Sequence, residues 1–567
     1  MLQNVTGSIE NYLKVLVGNA LGDIAATRGK TLPEDFFAEI ERPKREGQGD
    51  RSTSAAMQLA KFMSVSPKEL AAEVAAALTQ AAEANGLVDK IEVAGPGFIN
   101  FFLSKKWFQS VVRDVLNAGE SYGSSNAGAG RRAQVEFVSA NPTGPLHIGH
   151  GRGAAVGDVL ANLLSFTGWK AEREYYVNDA GLQMEILGRS TQARYFELQG
   201  RQDQAPFPEN GYKGDYIYDL AEDAIEREGG RFLSLPLGES LPWFKRFAGE
   251  VILEGIQRDL EDFGVKFDVW FSESSLYERN LVSKAMEQLK RRDYAFEADG
   301  AVWFKASDFV DDQDRVLIRN NGAPTYFASD IAYHKEKFDR GFDRVIDIWG
   351  ADHHGYIPRM KAGVEAVGRK PEDLDVLLIQ FVNLVRDGVQ VPMSTRSGQF
   401  VPLRDVLNEV GVDATRYFFL TRRSDSSLDF DLELAKRQNS DNPVYYVQYA
   451  HARICGVMRE LRERGGNLSA IFDVPPEVFD NGEARELADC LAVFPGEMES
   501  ASRDLAPHAI TVYASNLAGC FHAFYNTNRI LGEAAPIEAG RLLLIEAARV
   551  ALARCLALLG VSAPERM

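Results

Sequence analysis

Residues 133–140, "AQVEFVSA", followed by "NPTGPLHIGHGRGAAVGDVL" at 141–160, restrict the fold more than any other stretch of the chain. The first run reads as a buried strand, and the Asn-Pro-Thr-Gly-Pro punctuation ends it. From His147 onward a helix fits, because Val156, Val159, Leu160, Leu163 and Leu164 recur at helical spacing and Gly168 stands where a C-terminal cap belongs. "AEREYYVND" (171–179) then supplies a second strand. Strand, helix and strand in so short a span make a βαβ unit, and with it a parallel α/β sheet. In such sheets anions bind where a strand ends and a helix begins, at backbone N–H groups favoured by the helix dipole. His147 and His150 stand at that junction, three residues apart on one helix face. They can donate hydrogen bonds to a phosphate whose charge grows in a transition state. Gly149 between them leaves room for a flat ring to approach the backbone.

The chain has 567 residues, too many for one core, which suggests three or four domains. Residues 1–118 read as a small mixed α+β unit. A Ser66–Glu69 capping box opens a helix that Gly86 stops, and "KIEVAGPGFINFFLS" reads as two strands about a turn. "GSSNAGAG" (123–130) reads as a flexible linker. Residues of about 190–300 interrupt the sheet with acidic, mostly helical sequence, and strand-like runs return at "GAVWF", "RVIDIWG" and "DVLLIQFVNLV". From about residue 405 the pattern is nearly all helical. In it, Asp441 or Asn442 can cap a helix beginning at Pro443, whose Tyr445, Tyr446 and Tyr449 lie near Arg453 and suit stacking on unpaired bases.

The formal net charge is −18, so a nucleic acid must meet locally basic patches rather than a basic whole. No stretch is long and apolar enough to span a membrane, and the N-terminus lacks a basic-then-apolar leader pattern, so the expectation is a cytoplasmic protein. The four cysteines (Cys455, Cys490, Cys520, Cys555) form no Cys-x-x-Cys pair and read as buried free thiols. His353 and His354 have no third ligand at metal spacing, so no protein-bound metal is expected.

His-Ile-Gly-His between a strand and a helix matches the first signature of class I aminoacyl-tRNA synthetases. "VPMSTRSGQF" (391–400) resembles the second, mobile-loop signature as the arginyl-tRNA synthetases carry it. "VEFVSANPTGPLHIGH", "APTYFASDIAYH", "GADHHGYIPRMKAG", "GVDATRYFFLTR", "DNPVYYVQYAHARI", "PGFINFFLS" and the terminal "LLGVSAPERM" also resemble segments of that family, over essentially the whole chain. The resemblance implies activation of arginine by ATP, with Mg²⁺ on the phosphates, and transfer of arginine to the 2′-hydroxyl of the terminal adenosine of tRNA(Arg). It also implies that tRNA is needed for the first step.

The implied architecture is an N-terminal tRNA-elbow domain (1–118), a Rossmann-type parallel-sheet catalytic domain (119–424, insertion at about 190–300) and an all-α anticodon domain (425–567). The implied assembly is a monomer, and the insertion is too short for an editing domain. In the implied chemistry His147 and His150 stabilise the α-phosphate region, while Ser394, Thr395 and Arg396 close over pyrophosphate. ATP contacts fall on Thr143, Gly149, His147, His150, His353 and Met393. Arginine contacts fall on Glu136, Asn141, Tyr326 and Asp330, with Asp352 as a further acidic candidate. A guanidinium calls for such carboxylates in fork geometry, and Glu136, inside a buried strand, needs a partner. Phe98 and Asn100 match positions that read the tRNA elbow, and Tyr446, Tyr449 and Met567 match anticodon contacts.

Pro392 and Thr395 stand where the usual loop has lysines, and Arg396 is the one cation of the signature. No Lys or Arg lies between Ala133 and Leu146, so Arg131, Arg132 and Arg152 are the candidates to compensate. The rival readings are another class I synthetase, a small-molecule adenylyltransferase, and a catalytically silent tRNA-binding relative. The helical C-terminal third counts against the adenylyltransferase, and the Tyr326/Asp330 pair favours arginine.

Overall fold

The structure, a computed structural model, describes residues 9–43, 45, 47–309, 313–391, 401–468 and 474–567. The N-terminal unit packs the helices Ile9–Thr27, Ala55–Met63 and Pro67–Asn85 on a three-stranded antiparallel sheet. The capping box forms: Glu69 N–H donates to Ser66 Oγ at 3.2 Å, and Ser66 N–H to Glu69 Oε2 at 3.0 Å.

The middle of the chain builds a five-stranded, wholly parallel sheet in the spatial order Leu374–Ile379, Arg344–Gly350, Arg132–Glu136, Lys170–Val177, Val269–Ser272. Counted along the chain, that is 5-4-1-2-3. The order reverses between Arg132–Glu136 and Arg344–Gly350, and ligands of doubly wound sheets sit in the crevice at the carboxyl edge of that switch point. The helix Ile148–Phe166 follows the first of those strands and is buried on nearly every face. Its small residues permit this: a Cβ on Gly157 would lie 2.2 Å from the Phe137 ring.

The last third is a bundle of the helices Pro443–Glu463, Gly482–Arg503, His508–Thr527 and Ala535–Leu559. One apolar core runs from the N-terminal unit through the sheet into this bundle. Buried charges pin the units together. Arg51 makes a fork with Asp489 (2.7 and 3.0 Å) and donates to Glu10 at 2.5 Å. Arg416 donates to Asp158 Oδ2 (2.5 Å) and to the carbonyls of Leu559 (2.9 Å) and Phe263 (3.0 Å), joining the helix Ile148–Phe166, the insertion and the bundle.

Two local expectations are corrected, and a third, the nearly all-helical pattern from about residue 405, holds with one short strand added. The "GSSNAGAG" stretch is no slack linker, because a Cβ on Gly123 would meet the Phe494 ring at 2.5 Å and one on Gly128 would meet Trp169 at 2.5 Å. Its glycines serve close packing. The interruption of the sheet ends before residue 300, since the short strand Val269–Ser272 forms the sheet's edge. "GAVWF" instead joins a separate antiparallel sheet with Ala295–Ala298 and Arg315–Ile318. Beyond residue 405 a strand, Leu428–Asp431, pairs in parallel with Val382–Arg386. Of the four thiols, three are buried and Cys520 is half-buried.

Replacing Arg416 with Leu removes the fully buried one of the two arginines on Asp158, leaving Arg173 at 2.9 Å, and takes the donor from the carbonyls of Leu559 and Phe263. We expect a loss of about 1–3 kcal/mol, seen as a lower calorimetric transition. An unchanged transition would mean that the three units are not held through this arginine.

Candidate active site

At the switch point the strand ending at Glu136 gives way to irregular backbone. Val138 (φ 66°) and Ser139 (φ 41°) both occupy the left-handed region, a strained conformation for a β-branched residue that surrounding contacts must hold. Ser139 Oγ supplies two of these contacts, donating to Glu136 Oε1 (2.9 Å) and accepting from Tyr176 N–H (3.1 Å). Tyr175 OH donates to the Ala140 carbonyl and Tyr216 OH to that of Thr143, so the loop is fastened from the neighbouring strand and from the insertion.

His147 is the N-cap of the helix Ile148–Phe166, just outside its first turn. Its Nδ1 accepts from the N–H groups of Gly149 (3.1 Å) and His150 (3.4 Å), while its own N–H donates to His150 Nδ1 at 3.3 Å. Two imidazoles thus do the work of a capping box. The rings stack with centroids 3.6 Å apart. Burial lowers both pKa values; that of His150, which also faces His147, falls to about 3. Both rings are therefore neutral at pH 7, and with Nδ1 accepting each carries its proton on Nε2. The two signature histidines are cap and donor at once. Gly149 has a further reason to be glycine, since a Cβ there would lie 3.0 Å from the His147 ring.

Beneath the loop three acids stand in one register row across the sheet, with Asp347 beside Glu136 and Glu136 beside Glu174. The helix Tyr326–Asp339 and the residue after it answer them. Lys337 Nζ donates to Glu136 (2.5 Å) and Asp347 (2.8 Å). His334 Nε2 meets Asp347 at 2.7 Å, Tyr333 OH donates to Glu174 at 2.5 Å, and Arg340 pairs with Glu174. Burial raises the pKa of Glu136, with Lys337 opposing. For Asp347 burial pushes in the same direction, but Lys337 and His334 prevail and hold it below the usual carboxylate range. Glu136 thus has the buried partner its position demands.

The same helix carries Asp330, half-buried and hydrogen-bonded by Tyr356 OH at 2.5 Å, and Tyr326, 67% exposed at the helix start. Asp330 is raised by burial, against the Tyr356 hydrogen bond. Facing it is Glu273, just beyond the edge strand Val269–Ser272 and 5% exposed. Burial, then Asp330, then Asp179 push its pKa up to about 7. No cation is paired with Glu273 or Asp330 among the described residues, in contrast to the row below. With the Asn178 amide oriented to suit its neighbours, it donates to Glu273 Oε2 (2.7 Å) and to the Ala180 carbonyl (3.2 Å), and it lies 3.2 Å from the Asn141 side chain, which brings Asn141 into the same cluster. Asp179 is occupied by Ser272 Oγ (2.5 Å) and Ser274 N–H (3.0 Å), fixing the turn that presents Glu273. Sequence reasoning missed Glu273 and Asn178, because a short strand inside helical sequence gave no sign that the chain returns to the sheet there.

Asp352, His353 and His354 lie in an exposed turn after the strand Arg344–Gly350, with His353 3.7 Å from Asp352. Asp352 therefore stands apart from the buried acids. Pro392, Met393, Ser394, Thr395 and Arg396 lie outside the described residues. The described residues that follow them reach the histidines: Leu403 N–H donates to the Leu146 carbonyl at 2.8 Å, and Pro402 bridges His147. The three arginines considered as compensating cations are engaged elsewhere. Arg152 is fully buried, with burial lowering its pKa to about 10, and donates to the carbonyls of Gln380, Arg423 and Ser426. Arg131 stacks on Trp169 and Arg132 on Phe342, both at the amino edge of the sheet, opposite the histidines.

In the bundle, Asn442 caps the helix Pro443–Glu463. Tyr446 and Tyr449 are half-buried and flank His522 (centroids 4.8 and 6.0 Å). Arg453 lies over Tyr449 and Tyr525 and donates to Tyr449 OH at 2.7 Å. The terminal segment runs back along this helix, with Ser562 at Gln448 and Glu565 at Arg459, and leaves Met567 51% exposed. In the N-terminal sheet Phe98 is 38% exposed, whereas Asn100 is 5% exposed.

A doubly wound parallel sheet with histidines capping the helix at its switch point, continued by a helical bundle, is the build of a class I aminoacyl-tRNA synthetase. Three family models cover the chain: the arginyl-tRNA synthetase N-terminal domain over residues 11–103, the class I (R) tRNA synthetase catalytic domain over 111–429, and the DALR anticodon-binding domain over 447–567. The chain belongs to the arginyl-tRNA synthetase family. It is 49% identical to the arginine–tRNA ligase of Syntrophotalea carbinolica, covering 99% of this chain and 100% of the relative, and 48% identical to that of Carboxydothermus hydrogenoformans over the whole of both. The solved Thermus thermophilus arginyl-tRNA synthetase shares the fold (TM-score 0.74, 22% identity, 98% of this chain and 100% of that one).

Replacing His147 with Asn keeps an N-cap acceptor but removes the Nε2 donor. We expect stability within a few tenths of a kcal/mol of wild type and adenylation about 10²–10³-fold slower. His147→Ala should lose both. Equal single-turnover rates for the wild type and His147→Asn would leave this histidine a cap alone.

Proposed function

We propose that this chain joins arginine to tRNA(Arg) in two steps: ATP and arginine give arginyl-adenylate and pyrophosphate, and the arginyl group then passes to the terminal adenosine of the tRNA. The observation that carries the reading is the facing, unpaired carboxylates of Glu273 and Asp330 beside the capped histidines. A guanidinium supplies the fork of donors such a pair needs and relieves their mutual repulsion. Uncharged amino acids leave both acids unpaired, so the pocket rejects them without proofreading.

The arginine carboxylate itself attacks the α-phosphate, so the protein supplies position and charge rather than a nucleophile. His147 and His150 offer neutral Nε2–H donors to the α-phosphate. Gly149 and the Thr143 loop receive the adenosine, and His353 borders the sugar. Met393, Ser394, Thr395 and Arg396 close over pyrophosphate. Mg²⁺ arrives on the ATP phosphates as part of that substrate. Asn141, Glu136 and Asn178 orient the α-amino end of arginine, and Tyr326 and Asp352 line the approach.

We read the division of the chain as 1–118, 119–424 and 425–567. Tyr446, Tyr449 and Met567 present an aromatic and thioether surface to the anticodon, with Arg453 as the cation. Phe98, with Asn100 behind it, meets the tRNA elbow. The working state is a monomer in the cytoplasm. Among the described residues no helix is long and apolar enough to cross a membrane.

Pyrophosphate exchange into ATP, run with each amino acid with and without tRNA, tests the reading. Exchange with arginine alone, and only with tRNA present, is expected. Exchange with a different amino acid would overturn the pocket assignment, and none at all would make the chain a silent tRNA-binding relative.

A further inference from the structure

One pair of nucleophilic side chains has no part in this chemistry. Cys490, on the helix Gly482–Arg503, and Cys520, on the helix His508–Thr527, are free thiols with sulfurs 2.8 Å apart. The other two thiols have no such neighbour: Cys555 is fully buried, and Cys455 has its sulfur 3.8 Å from His451 Nδ1. Cys490 is buried but lines a cavity of about 740 Å³ together with Arg42, Arg51, Glu497 and His508. Cys520 is half-buried and the more accessible of the two sulfurs, so a small solute reaches it first.

We propose that Cys490 and Cys520 form a reversible modification site that closes to a disulfide between the two helices on exposure to a peroxide. The Cys520 sulfur attacks one oxygen of hydrogen peroxide, the O–O bond breaks, and hydroxide leaves with the thiol proton as water, giving a sulfenic acid. The Cys490 sulfur then attacks the Cys520 sulfur, the S–O bond breaks, and a second water carries off the Cys490 proton. Two thiols and one peroxide give one disulfide and two waters, the sulfurs losing two electrons and the peroxide gaining them. The order of events has support from the hydrogen bond between the thiols, which lowers the pKa of Cys520 against the effect of burial and raises that of Cys490. The thiolate is the reactive form.

The position gives the bond consequences. Asp489, next to Cys490, grips Arg51 and Arg42 of the N-terminal unit. His522, two residues beyond Cys520, stacks against Tyr449 and packs at a tilt against Tyr446. The disulfide ties the helix that holds the N-terminal unit to the helix that backs the tyrosine surface.

The test is hydrogen peroxide treatment of the full chain, followed by alkylation, intact mass and non-reducing peptide mapping. We expect a mass about 2 Da lower, free thiols falling from four to two, and one linked peptide pair joining residues 490 and 520, all reversed by dithiothreitol. Cys490→Ser should abolish the link and let dimedone trap a sulfenic acid on Cys520. A Cys455→Ser/Cys555→Ser double variant should keep the link. Four unreacted thiols, a bond between another pair, dimers linked through Cys520, or a link that forms only in denaturant would each overturn the proposal.

Discussion

Three carboxylates in one row across a buried sheet constrain everything built above them. Glu136 and Asp347 sit side by side on the two strands of the switch point, with Glu174 next in line. Left alone they would repel one another in a medium that solvates none of them. Lys337, His334, Tyr333 and Arg340 neutralise or hydrogen-bond the row, and all four come from one helix and the residue after it. Removing one partner from such a network strands a charge, typically at a cost of about 3–5 kcal/mol. The helix is therefore fixed in rotation as well as in place. Its first turns, carrying Tyr326 and Asp330, are delivered to the carboxyl edge of the sheet by ion pairs two turns away.

The contrast between that row and the pocket above it is the functional point. Below, every acid has a partner. Above, Asp330 receives only a tyrosine hydroxyl and Glu273 only an amide; burial raises the proton affinity of both, and Asp330 raises that of Glu273 further. The protein holds an electrostatic deficit that a guanidinium completes. Beside it, the phosphate site is built from neutral parts: two uncharged imidazoles whose Nδ1 atoms are spent on the helix start. The helix start itself holds those donors in position, as electrostatic preorganisation requires.

How far this was legible in the sequence follows from the range of the forces involved. The strand ending near Glu136, the helix opening at His147 and the second strand follow from local periodicity and punctuation, and so does the Ser66–Glu69 cap. Buried Glu136 announced a partner without naming it, because Lys337 is 201 residues away. Glu273 was invisible for a related reason: its strand has four residues, lies within acidic helical sequence, and earns its place only by pairing with Lys170–Val177. Glycine-rich 123–130 misled because composition does not distinguish a hinge from a turn pressed against Trp169 and Phe494. Arg131 and Arg132 lie close to the histidines in sequence, yet the length of one strand puts them at the opposite edge of the sheet.

The central claim is that Glu273 and Asp330 await a cation, and the pH dependence of arginine binding tests it most directly. Free Glu273, with its pKa raised to about 7 from 4.5, must lose a proton before a guanidinium can pair with it. Affinity should therefore be full above pH about 7 and fall by up to about tenfold per unit below it, and Glu273→Gln should flatten that slope. Titration calorimetry of the full chain between about pH 6 and 8 reads this as a shift in Kd with proton release on binding. A Kd that does not move with pH in the wild type, or a slope that survives in Glu273→Gln, would contradict the account.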